Sequence, residues 1–309
     1  MLKNITKLNK YKDQDPENEY HEEYQYLNLI KDLLKEGSLE LGRNGNTLVG
    51  IGSAMHFSLE NNKIPILTTK KTAWKSCLKE LLMFIKGQTS NTILNQQNVH
   101  IWDGNSTREF LDSRNLHSYE PNDLGPIYGF QWRHFNAHYT NADADYNSQG
   151  IDQLKYVIEQ LKDPKQRNSR RLIVSAWNPC QLDQMALPPC HVLFQFHVIN
   201  TNKLVCTMYQ RSVDEICGSP FNIASYSFLT HLIAKHCDLE AHEFIYYMGN
   251  CHIYETHIKD AQEQITRKPY EFPTIEIVNK RENIDDYEVS DFKIHNYVHH
   301  PPIKVEMVV

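Results

Sequence analysis

In the middle of the sequence stands Leu187-Pro188-Pro189-Cys190-His191, which leads into an alternating, strand-like apolar run at positions 192–199. The prolines fix φ and remove backbone donors just ahead of Cys190, so the cysteine is held on a stiff turn at the mouth of a buried strand. A thiol so placed can face a pocket. Free cysteine is also among the most often buried residue types, and this stretch by itself favours a core cysteine.

Length and composition indicate a soluble globular protein with a sizeable core. The chain has 309 residues, of which 40% are hydrophobic and 23% charged, enough for one large domain or two ordinary ones. The net charge of -6 gives no electrostatic argument for non-specific binding to DNA or RNA. The N-terminus lacks a secretory apolar core, and no apolar run is long enough to span a bilayer.

The seven cysteines are an odd number without paired spacing, which is typical of a reducing compartment and predicts a cytoplasmic protein. Neither Cys-x-x-Cys nor His-Glu-x-x-His occurs, so we expect no structural or catalytic zinc site. The pair His299-His300 is interpreted as solvated or structural.

Hydrophobic spacing predicts three helices in the first half of the chain. The first carries Leu27, Ile30, Leu33 and Leu34 and stops at Gly37, and the others lie at about residues 73–86 and 151–163. Residues 1–20 are polar and are expected to form a flexible tail. The segment 123–132 is rich in glycine and aromatic residues, and we interpret it as a rigid, ligand-facing loop or a simple turn with aromatic packing.

The second half mixes strands with long helices, which points to one α+β domain. Strands are predicted at residues 172–177, 192–199 and 204–209, and the last two are joined by a hairpin turn. Arginines precede the first of these strands and follow the third, a placement compatible with anion binding or with plain solvation.

Two further helices are predicted in the last third of the chain. One follows residues 218–222 and runs to about Cys237, with Asn222 as a candidate N-cap. The other follows Tyr254 and ends near Pro269, because proline cannot continue a helix. The residues beyond are expected to form short extended pieces.

The most distinctive short segments occur in one family's order. They are Glu80-Leu81-Leu82, Ile101-Trp102-Asp103, residues 124–132, Ser169-Arg170-Arg171, residues 186–191, Gln210-Arg211-Ser212-Val213-Asp214, residues 220–226, His252-Ile253-Tyr254 and residues 303–309. Any one of them would be weak evidence, but together they exclude chance. Over roughly residues 22–309 the chain resembles the thymidylate synthase family.

The resemblance implies one catalytic α+β domain at residues 21–309, with a large mixed β-sheet, surrounding helices and a homodimer in which the sheets stack back to back. It implies reductive methylation of deoxyuridine monophosphate (dUMP) by the co-substrate 5,10-methylenetetrahydrofolate, without a metal. The products would be thymidine monophosphate (dTMP) and dihydrofolate. Some protozoan relatives are fused to dihydrofolate reductase; only about twenty residues precede this domain, so we expect no such fusion here.

The resemblance also assigns the catalytic residues. A pyrimidine ring has no nucleophilic carbon at neutral pH, so a thiolate, matched by Cys190, must first add to its C6. Arg211 matches an arginine that favours the thiolate and also holds the phosphate. Glu80 matches the general acid/base, and Tyr128 a tyrosine that helps ordered water remove the C5 proton. Asp214 completes this set.

For dUMP, the resemblance implies fork-shaped phosphate ligands from two subunits. Arg43, Arg211 and Ser212 would come from one subunit, and Arg170 and Arg171 from its partner. Each site would therefore lack two arginines in a monomer.

The nucleoside would be read by other residues. Asn222 offers a donor and an acceptor to the O4 and N3–H edge of uracil, whereas the cytosine-using hydroxymethylase relatives have aspartate there. His252 and Tyr254 match a pair that binds the sugar 3′-hydroxyl. The remaining residues assigned to dUMP are Gln210, Val213, Asp214 and Ile253.

For the folate, the resemblance implies that Asp214 accepts a hydrogen bond from the pterin and that Trp102 shields the reacting carbon. The apolar C-terminus would close over the site and keep water out until hydride is transferred. The full set of residues assigned to the folate is Glu80, Trp102, Asn105, Asp214, Gly218, Phe221, Val308 and Val309.

The chain departs from the family pattern at several positions. The loop after Arg43 is one residue shorter than usual, which weakens that phosphate ligand. Asn250 stands where many members have aspartate, and Cys217 and Ser219 interrupt a usually apolar run, which could alter packing on the folate side.

Two alternatives remain beside the synthase. A deoxynucleotide hydroxymethylase would end with water in place of hydride, and Asn222 and Trp102 argue against it. A nucleotide- or RNA-binding regulator would keep the fold and lose the chemistry, but Cys190 and Glu80 are both present.

Overall fold

The computed structural model describes residues 21–42 and 44–305. Four parts of the chain for which the sequence makes predictions lie outside these residues: the tail at 1–20, Arg43, Val308 and Val309. Within the described part, the chain is a mixed α+β fold with one large sheet. The fold class expected from the sequence is therefore confirmed.

Eight α-helices lie in the described residues, and the five that the sequence predicts are among them. They are α1 (Tyr24–Glu36), α2 (Trp74–Ile85), α3 (Thr92–Asn95), α4 (Arg108–Ser113), α5 (Tyr128–His134), α6 (Gln153–Lys162), α7 (Gly218–His236) and α8 (Ile258–Gln264). Helix α1 is amphipathic and buries Leu27, Ile30 and Leu33. Helix α7 is buried on nearly every side, so it lies in the core of the fold.

The main sheet has six strands and is mixed. Its strands are β1 (Ser38–Gly42), β2 (Gly45–Ser58), β3 (Ile173–Ser175), β4 (His191–Ile199), β5 (Lys203–Asp214) and β6 (Glu240–Tyr254). Their order is β1-β2-β6-β5-β4-β3, and only β5 and β6 run parallel. Helix α7 supplies the crossover that a parallel pair requires. Two further strands, β7 (Thr274–Ile277) and β8 (Phe292–His295), form a separate ladder.

The core lies between α7 and one face of the sheet. The ring of Tyr226 in α7 packs against Phe194 of β4 and Phe244 of β6, at centroid distances of 5.6 and 5.9 Å. Phe194 and Phe244 are fully buried or nearly so. Because side chains alternate along a strand, the neighbouring residues of β4, β5 and β6 point to the opposite face of the sheet.

Three strand predictions need correction. Strand β5 does not end at Tyr209 but continues to Asp214, so Gln210, Arg211 and Ser212 lie inside the ladder and not after it. Strand β3 is shorter than the predicted 172–177. The fifteen-residue strand β6 was not predicted at all, although its run of aromatic and apolar residues around Tyr246 has high β-propensity.

Two local interpretations are also wrong. The segment 123–132 is not a loop throughout, because α5 begins at Tyr128. Gly129 in α5 allows this helix to pack closely against α2, because a Cβ at this position would lie 2.4 Å from the carbonyl oxygen of Phe84. Asn222 is not an N-cap, because Cys217 occupies that position and Asn222 lies within α7.

Two global features bear on the class of protein. All seven cysteines lie within the described residues, and none of them forms a disulfide. Across residues 21–42 and 44–305, every helix is too short or too polar to cross a bilayer.

Candidate active site

Cys190 lies immediately before β4, on a turn that Arg211 of β5 holds from the neighbouring strand. The guanidinium of Arg211 donates to the carbonyl oxygens of Pro189 (Nε, 2.8 Å) and Pro188 (Nη2, 3.0 Å). The backbone N–H of Arg211 donates to the carbonyl oxygen of Cys190 at 2.9 Å. Three hydrogen bonds from one residue therefore fix the turn that presents the thiol.

The same guanidinium provides a cation beside the sulfur. Nη2 of Arg211 lies 3.7 Å from Sγ of Cys190, and Cys190 is only partly buried. A nearby arginine and partial exposure are the conditions under which a cysteine is reactive. The guanidinium also packs over the indole of Trp177, 5.6 Å from the ring centroid, which restricts its position further.

Tyr128, the first residue of α5, contacts the cysteine from the other side. Its hydroxyl oxygen accepts the backbone N–H of Cys190 at 2.8 Å. Its ring is stacked on that of His191 at a centroid distance of 4.0 Å. Burial lowers the pKa of His191 to about 3, so this imidazole is neutral, and its Nδ1 lies 2.8 Å from the hydroxyl of Tyr226.

Glu80 of α2 lies on the apolar side of the site. Its Oε1 accepts a hydrogen bond from the indole Nε1 of Trp102 at 2.7 Å. The residue keeps a partly exposed edge, but its carboxyl lies deep enough in the protein to lose most of its hydration. Desolvation raises the pKa of Glu80 to about 7, and the Trp102 hydrogen bond opposes this shift.

Aromatic contacts connect the acid to the thiol. The ring of Trp102 lies 6.1 Å from that of Tyr128, and Phe84 is stacked on Tyr128 at 4.9 Å. Glu80, Trp102, Tyr128 and Cys190 are therefore consecutive contacts in one continuous site. An acid with a pKa near neutrality can both donate and accept a proton at physiological pH.

Asp214, Gly218 and Asn222 form a second group where β5 ends and α7 begins. A Cβ at Gly218 would lie 3.6 Å from Oδ1 of Asn222 and 3.9 Å from Cβ of Asp214. The structure thus brings together residues that the sequence assigns to the pterin and to the pyrimidine. Phe221 is half-buried one residue before Asn222, and Asn105 is buried at the end of a short 3-10 helix.

The residues assigned to the phosphate are divided between two places. Ser212 is partly exposed on β5, next to Arg211. Arg170 and Arg171 are exposed ahead of β3, and the contact described for the Arg170 backbone is a hydrogen bond from Gln195 to its carbonyl oxygen. No described contact connects either arginine with Cys190 of the same chain.

Three residues assigned to dUMP turn their side chains into the core: Gln210, Val213 and Ile253 are all buried. The amide of Gln210 donates to the carbonyl oxygen of Ser212 and accepts from the hydroxyl of Tyr246. For these three residues, contact with the nucleotide stays a prediction.

His252 and Tyr254 lie at the end of β6, with ring centroids 5.3 Å apart. Nδ1 of His252 lies 2.9 Å from Oδ1 of Asn250, so the position at which the chain departs from the family pattern contacts a proposed sugar ligand. Burial lowers the pKa of His252, and the charge of Asp214 on the neighbouring strand opposes that shift.

Sequence reasoning missed two side chains of this site, Trp177 over Arg211 and His191 beneath Tyr128, and it did not anticipate that Asn250 contacts His252. A signal existed for Trp177, which ends a predicted strand, and for His191, which follows the cysteine. Neither signal says which group the ring contacts, because that depends on elements distant in sequence.

Comparison with known proteins agrees with this geometry. The model of the thymidylate synthase family matches residues 24–309. The chain is 48% identical over 291 residues to the bifunctional dihydrofolate reductase-thymidylate synthase of Leishmania major, covering 94% of this chain and 56% of that protein. It is 50% identical over 290 residues to the bifunctional protein of Plasmodium chabaudi, covering 93% of this chain and 49% of that protein.

A plant relative shows the same relation. The bifunctional protein of Zea mays is 48% identical over 291 residues, which cover 94% of this chain and 55% of the relative. The chain thus spans about half the length of the curated relatives it matches. The family model covers most of the chain, and the chain belongs to the thymidylate synthase family.

Proposed function

We propose that the chain is a methyltransferase of dTMP biosynthesis, which converts dUMP to dTMP with 5,10-methylenetetrahydrofolate as co-substrate and releases dihydrofolate. The observation that supports this most is the thiol of Cys190, 3.7 Å from the guanidinium of Arg211 and joined by contacts to an acid whose pKa is raised to about 7. A nucleophile and a neutral-range acid in one site are what addition to a pyrimidine requires.

Cys190 acts as the nucleophile in this proposal. Attack of its thiolate on C6 of uracil forms a C–S bond and moves the C5–C6 π electrons towards C5 and O4, so that C5 becomes nucleophilic. The guanidinium of Arg211 favours the thiolate before attack. When the thiolate leaves at the end of the reaction, the C–S electron pair returns to sulfur and the enzyme is regenerated.

Glu80 and Tyr128 handle the protons. Glu80 protonates O4 as the enolate forms and removes that proton as it collapses, through water, because its pKa lies in the neutral range. The oxygen of Tyr128 already accepts the backbone N–H of Cys190. Its own O–H is therefore directed to another acceptor, such as a water that removes the C5 proton.

Six residues bind the nucleotide in this proposal. Asn222 binds the O4 and N3–H edge of uracil with one amide. His252 and Tyr254 bind the sugar 3′-hydroxyl. Arg211 and Ser212 bind the phosphate, with Arg43 as a further ligand.

The residues present suit a reduced folate. The co-substrate supplies the one-carbon unit and the hydride. Asp214 and Gly218 lie directly beside Asn222, so a pterin held by Asp214 would stack next to the uracil. Trp102 is buried beside Glu80 and excludes water, and Val308 and Val309 would close the opening.

We further propose that the active form is a homodimer. Tyr209 of β5 and Tyr247 of β6 are direct cross-strand neighbours, and 42% and 45% of their surfaces are exposed. They lie on the sheet face opposite to α7, where aromatic side chains indicate an interaction surface. Stacking two such sheets would allow Arg170 and Arg171, which are exposed, to reach the phosphate in the partner's site.

The proposal places this activity in residues 21–309 and in the cytoplasm. The seven cysteines without disulfides support a reducing compartment.

The decisive test is an assay of product formation with dUMP and methylenetetrahydrofolate. We expect dTMP together with dihydrofolate, which is followed by its absorbance. Hydroxymethylated nucleotide together with tetrahydrofolate would identify a hydroxymethylase and overturn the proposal. Binding of nucleotide without any turnover would favour a regulator.

Shared sites are tested by mixing two inactive variants. Arg171→Ala removes a ligand given to the partner, and Cys190→Ser removes the nucleophile of its own site. Mixed dimers should contain one site with both residues and regain part of the activity. No recovery after exchange of subunits, verified with a tagged chain, would contradict the proposed role of Arg171.

A further inference from the structure

Beside the proposed pterin ligand lie three potential metal ligands from three elements of the fold. Asp214 ends β5, Cys217 caps α7, and His257 lies between β6 and α8. One carboxylate oxygen, the cysteine Sγ and one imidazole nitrogen all lie within 4.8 Å of one another. The shortest described separation is 4.0 Å, between Oδ2 of Asp214 and Nδ1 of His257.

The backbone orients the carboxylate of Asp214. Its Oδ1 accepts the backbone N–H groups of Ile216 at 2.8 Å and Cys217 at 3.1 Å. These bonds fix one oxygen and leave Oδ2 towards His257, a side chain that is itself buried. Supporting hydrogen bonds of this kind are what holds metal ligands in place.

The ligand types favour a borderline or soft divalent cation. A thiolate, an imidazole and a carboxylate together suit Zn²⁺, whereas Mg²⁺ and Ca²⁺ prefer oxygen alone. Ligand atoms at about 2.0–2.3 Å from a tetrahedral ion lie about 3.3–3.8 Å apart. Side-chain rotations that move the present atoms by about 1 Å or less would therefore close the site, with a fourth position left open.

The surrounding charges are mixed. The ammonium of Lys70 donates to the carbonyl oxygen of Ile216 and lies near both Cys217 and Asp214, which opposes a cation. The carboxylate of Asp260 lies on the same side and offsets that charge. The thiol of Cys217 is protonated until a metal replaces its proton, so binding forms one metal–sulfur bond and releases one proton to solvent.

We propose that Asp214, Cys217 and His257 form a binding site for Zn²⁺ or a similar thiophilic divalent cation, and that an ion bound there inhibits catalysis. The ion would occupy the oxygen of Asp214 that the pterin requires. Inhibition rests on the proposed function, whereas binding of the ion does not.

Binding is tested first, with Cd²⁺ as the probe. Coordination to a thiolate gives a ligand-to-metal charge-transfer band in the ultraviolet. The band should appear with one equivalent of Cd²⁺, vanish in Cys217→Ser, and persist in Cys180→Ser and Cys190→Ser. No band in the unmodified protein, or a band that Cys217→Ser leaves unchanged, would overturn the site.

A second variant tests the site independently, so that the test does not depend on correct folding of Cys217→Ser alone. His257→Gln should weaken Cd²⁺ binding by more than about 100-fold, because even an outer partner of a metal ligand is worth 10–100-fold. Both variants are compared with the unmodified protein by circular dichroism. A folded His257→Gln with unchanged affinity would exclude the imidazole as a ligand.

Inhibition is tested in the dihydrofolate assay with Zn²⁺ added. The apparent KM for methylenetetrahydrofolate should rise with Zn²⁺ in the unmodified enzyme and stay constant in Cys217→Leu. Equal inhibition of both would refute the regulatory part. A Cd²⁺ band in a protein that lacks turnover would instead contradict the proposed function and leave the metal site standing.

Discussion

The two sides of the candidate active site reach their electrostatic properties by different physical means. On the thiol side, a cation is placed next to Cys190 by hydrogen bonds from Arg211 to the carbonyl oxygens of Pro188 and Pro189. On the acid side, the pKa of Glu80 is raised chiefly by the loss of water around it. One side uses a positioned charge and the other uses a low-dielectric environment.

These two physical mechanisms predict different responses of the thiol side and the acid side to amino-acid substitution. A positioned charge depends on the geometry of one side chain, so even a conservative replacement of Arg211 moves the charge relative to the sulfur and removes hydrogen bonds that hold the turn. Desolvation is a property of many packed groups, so it persists when Glu80 itself is replaced. Substitutions on the two sides should therefore differ both in kind and in size.

The largest effect is expected at the thiol itself. Cys190→Ser should lower turnover by more than about 1,000-fold, because an alcohol is a far weaker nucleophile than a thiolate near neutral pH. Nucleotide binding, measured by calorimetry, should persist. Cys180→Ser, which replaces an exposed cysteine, is the matched control and should retain full activity; substantial turnover by Cys190→Ser would disprove the assignment.

Next in size is the loss of the acid. Glu80→Gln keeps the shape and the Trp102 contact but cannot transfer a proton, so kcat should fall by about 100- to 1,000-fold. The KM for dUMP should change little. Glu36→Gln, which replaces an exposed glutamate at the end of α1, serves as control, and an equal loss of kcat there would contradict a specific role for Glu80.

A smaller effect is expected for the positioned charge. Arg211→Lys keeps the charge but loses the planar fork that reaches two carbonyl oxygens and the sulfur, so kcat/KM should fall by about 10- to 100-fold. Alkylation of Cys190 by iodoacetamide should also need a higher pH, since the thiolate is less favoured. An unchanged pH profile of alkylation would show that Arg211 does not control the thiol.

The smallest effect concerns stability. The pKa of Glu80 rises from 4.5 to about 7 on folding, so its ionisation destabilises the folded state increasingly as pH rises through this window. This pKa shift corresponds to a change of about 3 kcal/mol at most in the free energy of unfolding. Because one edge of Glu80 is partly exposed to solvent, we expect a change of about 1–2 kcal/mol.

Glu80→Gln should therefore be more stable than the unmodified protein by about 1–2 kcal/mol near pH 8. The gain should disappear below about pH 3.5, where the carboxyl is largely protonated in both the folded and the unfolded state. Urea unfolding at one protein concentration measures it. A gain that is the same at both pH values would mean that packing, and not ionisation, is responsible.

Local patterns predicted several elements well. The spacing of Leu27, Ile30 and Leu33 identifies α1, and the glycines and asparagines around residues 43–47 identify the turn between β1 and β2. The helices α2, α6 and α7 follow from similarly placed apolar residues, and α8 from its position between Tyr254 and Pro269. These predictions succeed because each depends on residues that lie close together in the sequence.

Predictions that depend on distant partners failed. Strand β6 was missed because its residues after the aromatic run are small or polar, and its pairing with β2 and β5 decides its length. Strand β5 continues to Asp214 because β6 offers it a ladder. Register between strands is a tertiary property, since the hydrogen-bonding partner lies outside the local sequence.

For the site, the types and order of the reactive groups follow from the sequence: a cysteine behind two prolines, an arginine that follows an apolar run, and a glutamate on a helix. Tertiary structure alone decided that Arg211 lies 3.7 Å from the sulfur, that Tyr128 bonds the backbone of Cys190, and that Glu80 is desolvated. The reason is physical. A functional group's identity is covalent, whereas its distance to a charge and its access to water depend on which distant elements pack around it.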